Sequence, residues 1–226
     1  MKRIFIGIFG LFSVLFCVSL FAHGITGPDQ AFLLNNVGTQ IGVFIYLGAK
    51  HMVTGYDHLL FLAGVIFFLY RLKDVAIYVT LFALGHSITL LLGVLGGLHV
   101  NSYIVDAIIG LSIVYKAFEN VGGFSQMGLR VNTKAAVLVF GFFHGFGLAT
   151  KLQDLAISEE GLLPNMLSFN LGVEIGQLLA LSVILVAFNF WRPTQSFIRH
   201  AYTVNIALMG SGFVLIGYQL TGYFLA

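Results

Sequence analysis

The chain has 226 residues, of which 58% are hydrophobic and 9% charged, with a formal net charge of +2. A soluble domain usually carries about 25% charged residues, so this deficit excludes a water-solvated globule and makes lipid the solvent. The small net charge gives no argument for nucleic acid, and the single cysteine, Cys17, excludes a disulfide framework and any cysteine-based zinc or iron–sulfur site.

In chain order, Lys2 and Arg3 give a basic start, Ile4 to Leu20 an apolar run, and Phe21-Ala22 a small-residue end before His23. That pattern predicts a signal peptide over 1–22, cleaved after Ala22. Leu20 is larger than the usual residue at its position, which leaves an uncleaved anchor as the alternative. Phe16 is a poor neighbour for lipidation of Cys17. A short polar segment, 23–40, follows and is expected to be periplasmic.

Six apolar stretches of the length a membrane helix needs then occupy 41–226: Ile41–Tyr70, Val75–Val94, Tyr103–Val121, Ala135–Leu152, Leu163–Phe190 and Tyr202–Phe224. The expected fold is therefore all-α and polytopic, about six transmembrane helices joined by short links. The first and fifth stretches are long enough to be tilted, broken or extended beyond the bilayer. Alternating links place Arg71 and Lys73, Arg130 and Lys134, and Arg192 and Arg199 on one side. Asp154, Glu159 and Glu160 fall on the other, with Lys151 flanking them. By the positive-inside rule the basic side is cytoplasmic, so both mature ends are expected in the periplasm of a bacterial inner membrane.

The sequence also echoes itself. Phe82-Ala-Leu-Gly85-His86-Ser-Ile resembles Phe169-Asn-Leu-Gly172-Val-Glu174-Ile, and Gly48-x-x-His51 resembles Gly141-x-x-His144. Both matches lie three spans apart, as a three-plus-three inverted repeat would place them. Chance matches are frequent in sequences rich in Phe, Leu and Gly, so both readings stay open.

Ionisable residues inside spans cost about 2.5–3.5 kcal/mol each for Arg, Lys or Asp at a helix centre, so each one asks for a reason. Lys116 and Glu119, three apart, read as an intrahelical pair, and Asp106 near the outer end of its span can face water. A lone histidine is often a packing partner between helices. Six others resist that reading: His51, Asp57, His58, His86, His144 and Glu174 come from four spans yet share one depth band. Imidazoles and carboxylates converging from several helices are the ligand set of a borderline divalent metal, Ni²⁺, Co²⁺ or Zn²⁺. Asn170 and Gln177 extend a polar face through Glu174. His23 would chelate at the outer mouth if cleavage frees its amine. His99 and His200 fall in links outside the band and are expected to play no part.

Spacing on the first span adds a geometric demand. On a straight helix His51 and His58 lie about 10.5 Å apart along the axis, too far to share one ion. Either Gly55 breaks the helix or the motif serves two sites.

The stretches His51-Met-Val-Thr-Gly-Tyr-Asp57-His58, Leu84-Gly-His86-Ser, Ser112-Ile-Val-Tyr-Lys-Ala-Phe-Glu119-Asn120, Phe143-His144-Gly-Phe-Gly and Phe169-Asn-Leu-Gly-Val-Glu174-Ile-Gly-Gln177 together resemble the HupE/UreJ family. Members are regarded as nickel or cobalt permeases of the bacterial inner membrane. The resemblance implies a permease whose transported substrate is Ni²⁺ or Co²⁺ and whose histidine–aspartate motif falls on His51, Asp57 and His58. It is also all that points to a hydrogenase or urease maturation system as a partner. No Gly-x4-Gly-Lys-Ser/Thr loop occurs in the sequence, so a nucleotide motor is not expected, and an enzyme is not the leading reading. Two alternatives remain: an intramembrane zinc hydrolase built on His51, His86 and His144, and a bis-histidine haem carrier.

Overall fold

The structure, a computed structural model, describes residues 38–154 and 160–226; the expected signal peptide, His23 and Glu159 lie outside the described residues. The described chain is helical: α1 (Ile41–Thr54), α2 (Tyr56–Ile66), α3 (Leu72–Gly96), α4 (Ser102–Asn120), α5 (Gly123–Gln126), α6 (Thr133–Gln153), α7 (Leu162–Trp191) and α8 (Gln195–Leu225). Four of these, α3, α6, α7 and α8, are long and apolar enough to cross a membrane. Helix α4 has 19 residues, about 28 Å, and carries Asp106, Lys116 and Glu119. The first expected span is broken into α1 and α2 at Gly55, which has φ −72° and ψ 93°. Helix α8 begins at Gln195, seven residues before the apolar stretch does, so His200 lies on a helix rather than in a link.

Side chains that stop the backbone from unravelling mark several helix starts. Asn101 accepts from the Ile104 N–H, Asn132 from Ala135 N–H and Thr194 from Phe197 N–H, at 3.2, 3.2 and 3.3 Å. Each satisfies a donor that has no partner within its helix. Gly97 closes α3 in the left-handed region at φ 62°, where a side chain would be strained.

The helices pack as three close pairs, α1 with α7, α3 with α6 and α4 with α8. Glycines set the approach. A Cβ at Gly48 would collide with the Phe169 carbonyl and one at Gly172 with the Ile45 carbonyl. In the α3–α6 pair the same contacts recur: Gly141 against the Phe82 carbonyl, and Gly85 against the Leu138 carbonyl. Gly176 faces the Ala49 carbonyl, and in the other pair Thr89 donates its hydroxyl to the Phe142 carbonyl at 2.7 Å. Gly110 and Gly212, in the third pair, face each other's carbonyls. These correspondences match Gly48 with Gly141 and Phe169 with Phe82, as the sequence echo did. The α1–α7 and α3–α6 pairs thus make matching contacts at the positions the sequence echo aligned.

Helix α2 is short and sits inside the bundle, in contact with α3, α4, α7 and α8. Its last carbonyls take only turn-type bonds from the backbone, Phe67 N–H to Gly64 at 3.4 Å and Leu69 N–H to Ile66 at 3.0 Å, and in a lipid setting water cannot add to them. Asn120 donates to the Gly64 carbonyl at 2.8 Å, and the buried Arg192 guanidinium donates to the Ile66 and Phe67 carbonyls. Lys116 and Glu119 pair at 2.9 Å within α4, as their spacing implied, and Thr133 adds its hydroxyl to Glu119. Large apolar side chains such as Val183, Phe190 and Phe213 stay exposed on α7 and α8. That is the surface expected where lipid replaces water.

Where a carbonyl already occupies the Cβ position, a side chain must part the helices. Gly85→Val and Gly172→Val should each destabilise by about 1–3 kcal/mol or more through overpacking, read as a lower thermal midpoint in detergent. Gly210→Val, placed where a Cβ meets nothing within 4 Å, should leave the midpoint near that of the parent. A Gly85→Val protein melting like the parent would refute the close approach.

Candidate metal centre

The break at Gly55 brings the first motif together. With α2 redirected, the His51 and His58 rings meet edge-on with centroids 5.1 Å apart. Gly55 itself lies against the site: a Cβ there would stand 2.9 Å from His58 Nδ1 and 3.2 Å from Asp57 Oδ1. A glycine fits here because a larger residue would press on the His58 and Asp57 side chains.

Helix α3 contributes the third imidazole. One nitrogen from each of His51, His58 and His86 lies within 4.8 Å of the others, an arrangement that could hold a metal ion. A metal with nitrogens at about 2.1 Å holds tetrahedral ligand atoms about 3.4 Å apart. Small side-chain rotations would therefore close the cluster. His144 comes from α6, and its ring packs edge-on against His58 at 4.8 Å. Gly85 and Gly141, which let α3 and α6 touch, are what allow His86 and His144 to approach so closely.

Hydrogen bonds set which nitrogens face the centre. His58 Nδ1 donates to Asp57 Oδ1 at 3.0 Å, leaving Nε2 as the available lone pair. His144 Nδ1 donates to the Phe140 carbonyl at 2.8 Å, again leaving Nε2. Among the described residues, His58 Nε2, His144 Nε2 and both nitrogens of His86 are buried without a hydrogen-bond partner. Burying such an atom unsatisfied costs about 1–3 kcal/mol. Several in one place point to a ligand that would satisfy them. The rings of Phe82 and Phe61 pack on His144 at 5.0 and 5.4 Å, and Phe169 lies 6.2 Å from His51. These aromatic walls keep the surroundings apolar.

A small cavity beside the cluster is lined by His51, Asp57, His58 and His144, and also by Asp106 and Lys151. His86 stands deeper, fully buried. Sequence reasoning did not place Asp106 and Lys151 here. Asp106, which by its place near the helix end could face water, is buried, and its carboxylate accepts from Lys151 Nζ at 3.0 and 2.8 Å. The partners are 45 residues apart, so no local spacing could reveal the pair. The short links that make α4 and α6 neighbours were the only available hint.

Glu174 is not brought to the cluster. It is exposed on α7, because a helical step places it about 60° further from the packed face than Gln177. Gln177 is buried, its Nε2 3.4 Å from the Val79 carbonyl and its Oε1 without a partner among the described residues. Asn170 is half-buried, with Oδ1 likewise unpartnered. His99 is exposed and pairs with Asp154 at 3.0 Å, and His200 Nδ1 donates to the Ser196 carbonyl at 2.8 Å. Neither lines the cavity beside the cluster.

Fold and site together define a polytopic helical membrane protein with a buried histidine cluster of metal-binding type. The model of the HupE / UreJ protein family matches residues 28–226, and the chain belongs to that family. No curated protein and no solved structure matches the chain. Membership and cluster fit a metal permease in general.

The Asp57 carboxylate accepts from His58 Nδ1 and so orients the ring. Such outer partners typically change metal affinity 10–100-fold. Asp57→Asn should therefore weaken Co²⁺ binding by about that factor, measured by absorption titration of the purified protein, with little change in thermal midpoint.

Proposed function

We propose that this protein is a secondary permease that carries a divalent transition-metal ion, Ni²⁺ or Co²⁺, across the bacterial inner membrane through the histidine cluster. The observation that carries the reading is the group His51, His58 and His86, with the unpartnered nitrogens of His58, His86 and His144 inside helices suited to lipid. Neutral imidazoles suit these ions, and without a full shell of thiolates or carboxylates the ion can also leave. Imidazole must be deprotonated to bind metal, so binding weakens as the medium is acidified.

Orientation follows from the basic links. Arg71, Arg130 and Arg192 stand at the ends of the bundle opposite His99 and Asp154, and the positive-inside rule makes the basic ends cytoplasmic. The cavity then approaches the cluster from the periplasmic side. Inward movement of a dication gains about 4.6 kcal/mol per 100 mV of membrane potential, from about 2.3 per charge, which is enough to drive accumulation without a nucleotide. The transporter character of the family supports a non-enzymatic role. The haem alternative fits the geometry poorly, since the His58 ring meets those of His51, His86 and His144 edge-on and leaves no slot for a flat macrocycle between them.

His58→Ala and His86→Ala should each abolish saturable Ni²⁺ or Co²⁺ uptake and equilibrium binding while the protein still inserts. His200→Ala should leave both unchanged. Uptake and binding equal to the parent in both cluster variants would remove the reading.

The orientation has its own check. In a Cys17→Ser background, a cysteine at exposed position 98 should react with an impermeant maleimide in intact spheroplasts. One at exposed position 127 should react only after permeabilisation, and the reverse pattern would invert the topology.

A further inference from the structure

We propose that Asp106 and Lys151 form an exchange gate on the path to the histidine cluster, in which a tethered ammonium occupies a carboxylate until a divalent cation displaces it. The inference rests on the reading of the cluster as a cation site.

Both residues lie toward the ends of their helices taken as periplasmic, Asp106 one turn into α4 and Lys151 in the last turn of α6. Both line the cavity that reaches His51, His58 and His144. Lys151 is seven residues beyond His144 on α6, about 10.5 Å along the axis. An ion entering from that end passes the pair before it meets an imidazole.

The two partners are not equally held. The Asp106 side chain is 6% exposed and the Lys151 side chain 21%. Gln219, from α8, also donates to Asp106 Oδ2, at 3.3 Å. Asp106 is thus fixed by a neighbouring helix, whereas Lys151 is a long flexible chain within reach of water. If one partner moves, it is the lysine.

Charge decides what that movement accomplishes. With Lys151 seated on Asp106 the pair is neutral, and a dication at the cluster adds its full +2 beside a retained ammonium. If Lys151 swings to solvent as the ion arrives, the carboxylate and the ion together leave +1 in the buried region. The carboxylate then serves as a first oxygen acceptor, and the imidazoles take the ion from it. Lys151 reseats behind the ion and shuts the path. A monovalent ion gains no more from the carboxylate than the ammonium already does, so the gate favours dications.

The test uses the full chain in proteoliposomes and in detergent, with Co²⁺ alone as the probe. Asp106→Asn should slow initial Co²⁺ uptake at least tenfold, while equilibrium Co²⁺ binding by the histidines changes less than threefold. Lys151→Met should lower the half-saturating Co²⁺ concentration several-fold and let Mg²⁺ compete. The double variant Asp106→Asn/Lys151→Met removes both charges and keeps similar volumes; it should be as slow as Asp106→Asn. If the pair only braces α4 against α6, the double variant recovers parental uptake and the single variants lose thermal stability, and the gate is overturned. Asp106→Asn uptake within twofold of the parent also overturns it. Those outcomes leave the permease reading standing when His58→Ala and His86→Ala still abolish uptake. A parent protein that takes up no Co²⁺ or Ni²⁺ would bring down both.

Discussion

The bundle depends on backbone meeting backbone at glycines. In lipid there is little hydrophobic gain from pressing one apolar helix on another, so association rests on close packing and interhelical hydrogen bonds. At Gly48, Gly172, Gly85 and Gly141 the partner's carbonyl oxygen fills the space a Cβ would need. The α1–α7 and α3–α6 pairs are tied in this way. Because the same contacts recur in both pairs, the two halves place equivalent faces toward a shared interior, where His51 and His144 hold equivalent positions.

Chemistry gathers where this packing is interrupted. Gly55 breaks what would be one long helix, and the redirected α2 carries Asp57 and His58 back toward His51. At its other end the short α2 leaves carbonyls inside the bundle, and Asn120 and Arg192 donate to them. At the histidine cluster the compensation is partial: His58 and His144 bond through Nδ1, while their Nε2 atoms have no partner among the described residues. His86 has both ring nitrogens unpartnered among the described residues, so one of them is free to meet a ligand.

Composition and periodicity were enough to read the solvent, the class of fold and most of the cluster. The lack of charge demands lipid, and histidines in apolar helices demand a partner. The identities of His51, Asp57, His58, His86 and His144 were legible because each is a costly residue at a depth where cost must be justified. Glu174 was drawn in by the same logic and stands elsewhere. Depth along a helix can be read from the sequence, but rotation about the helix axis depends on which face its neighbours cover. Asp106 and Lys151 show the converse error: near helix ends each passes for a solvated charge, and only the approach of α4 to α6 makes them a buried pair.

By itself the sequence determined that this chain lives in a bilayer, that its helices can approach closely and that imidazoles lie within it. These follow from local rules, because hydropathy, helix spacing and the cost of a buried charge are properties of a segment and its solvent. Tertiary structure alone decided that Gly55 breaks rather than bends the first span, that three imidazoles come together with a fourth against them, and that a carboxylate and an ammonium from different helices pair at the edge of the same cavity. Those are relations between segments far apart in the chain. They are set by which helix faces interlock, and that depends on the carbonyl-to-glycine contacts of the assembled bundle.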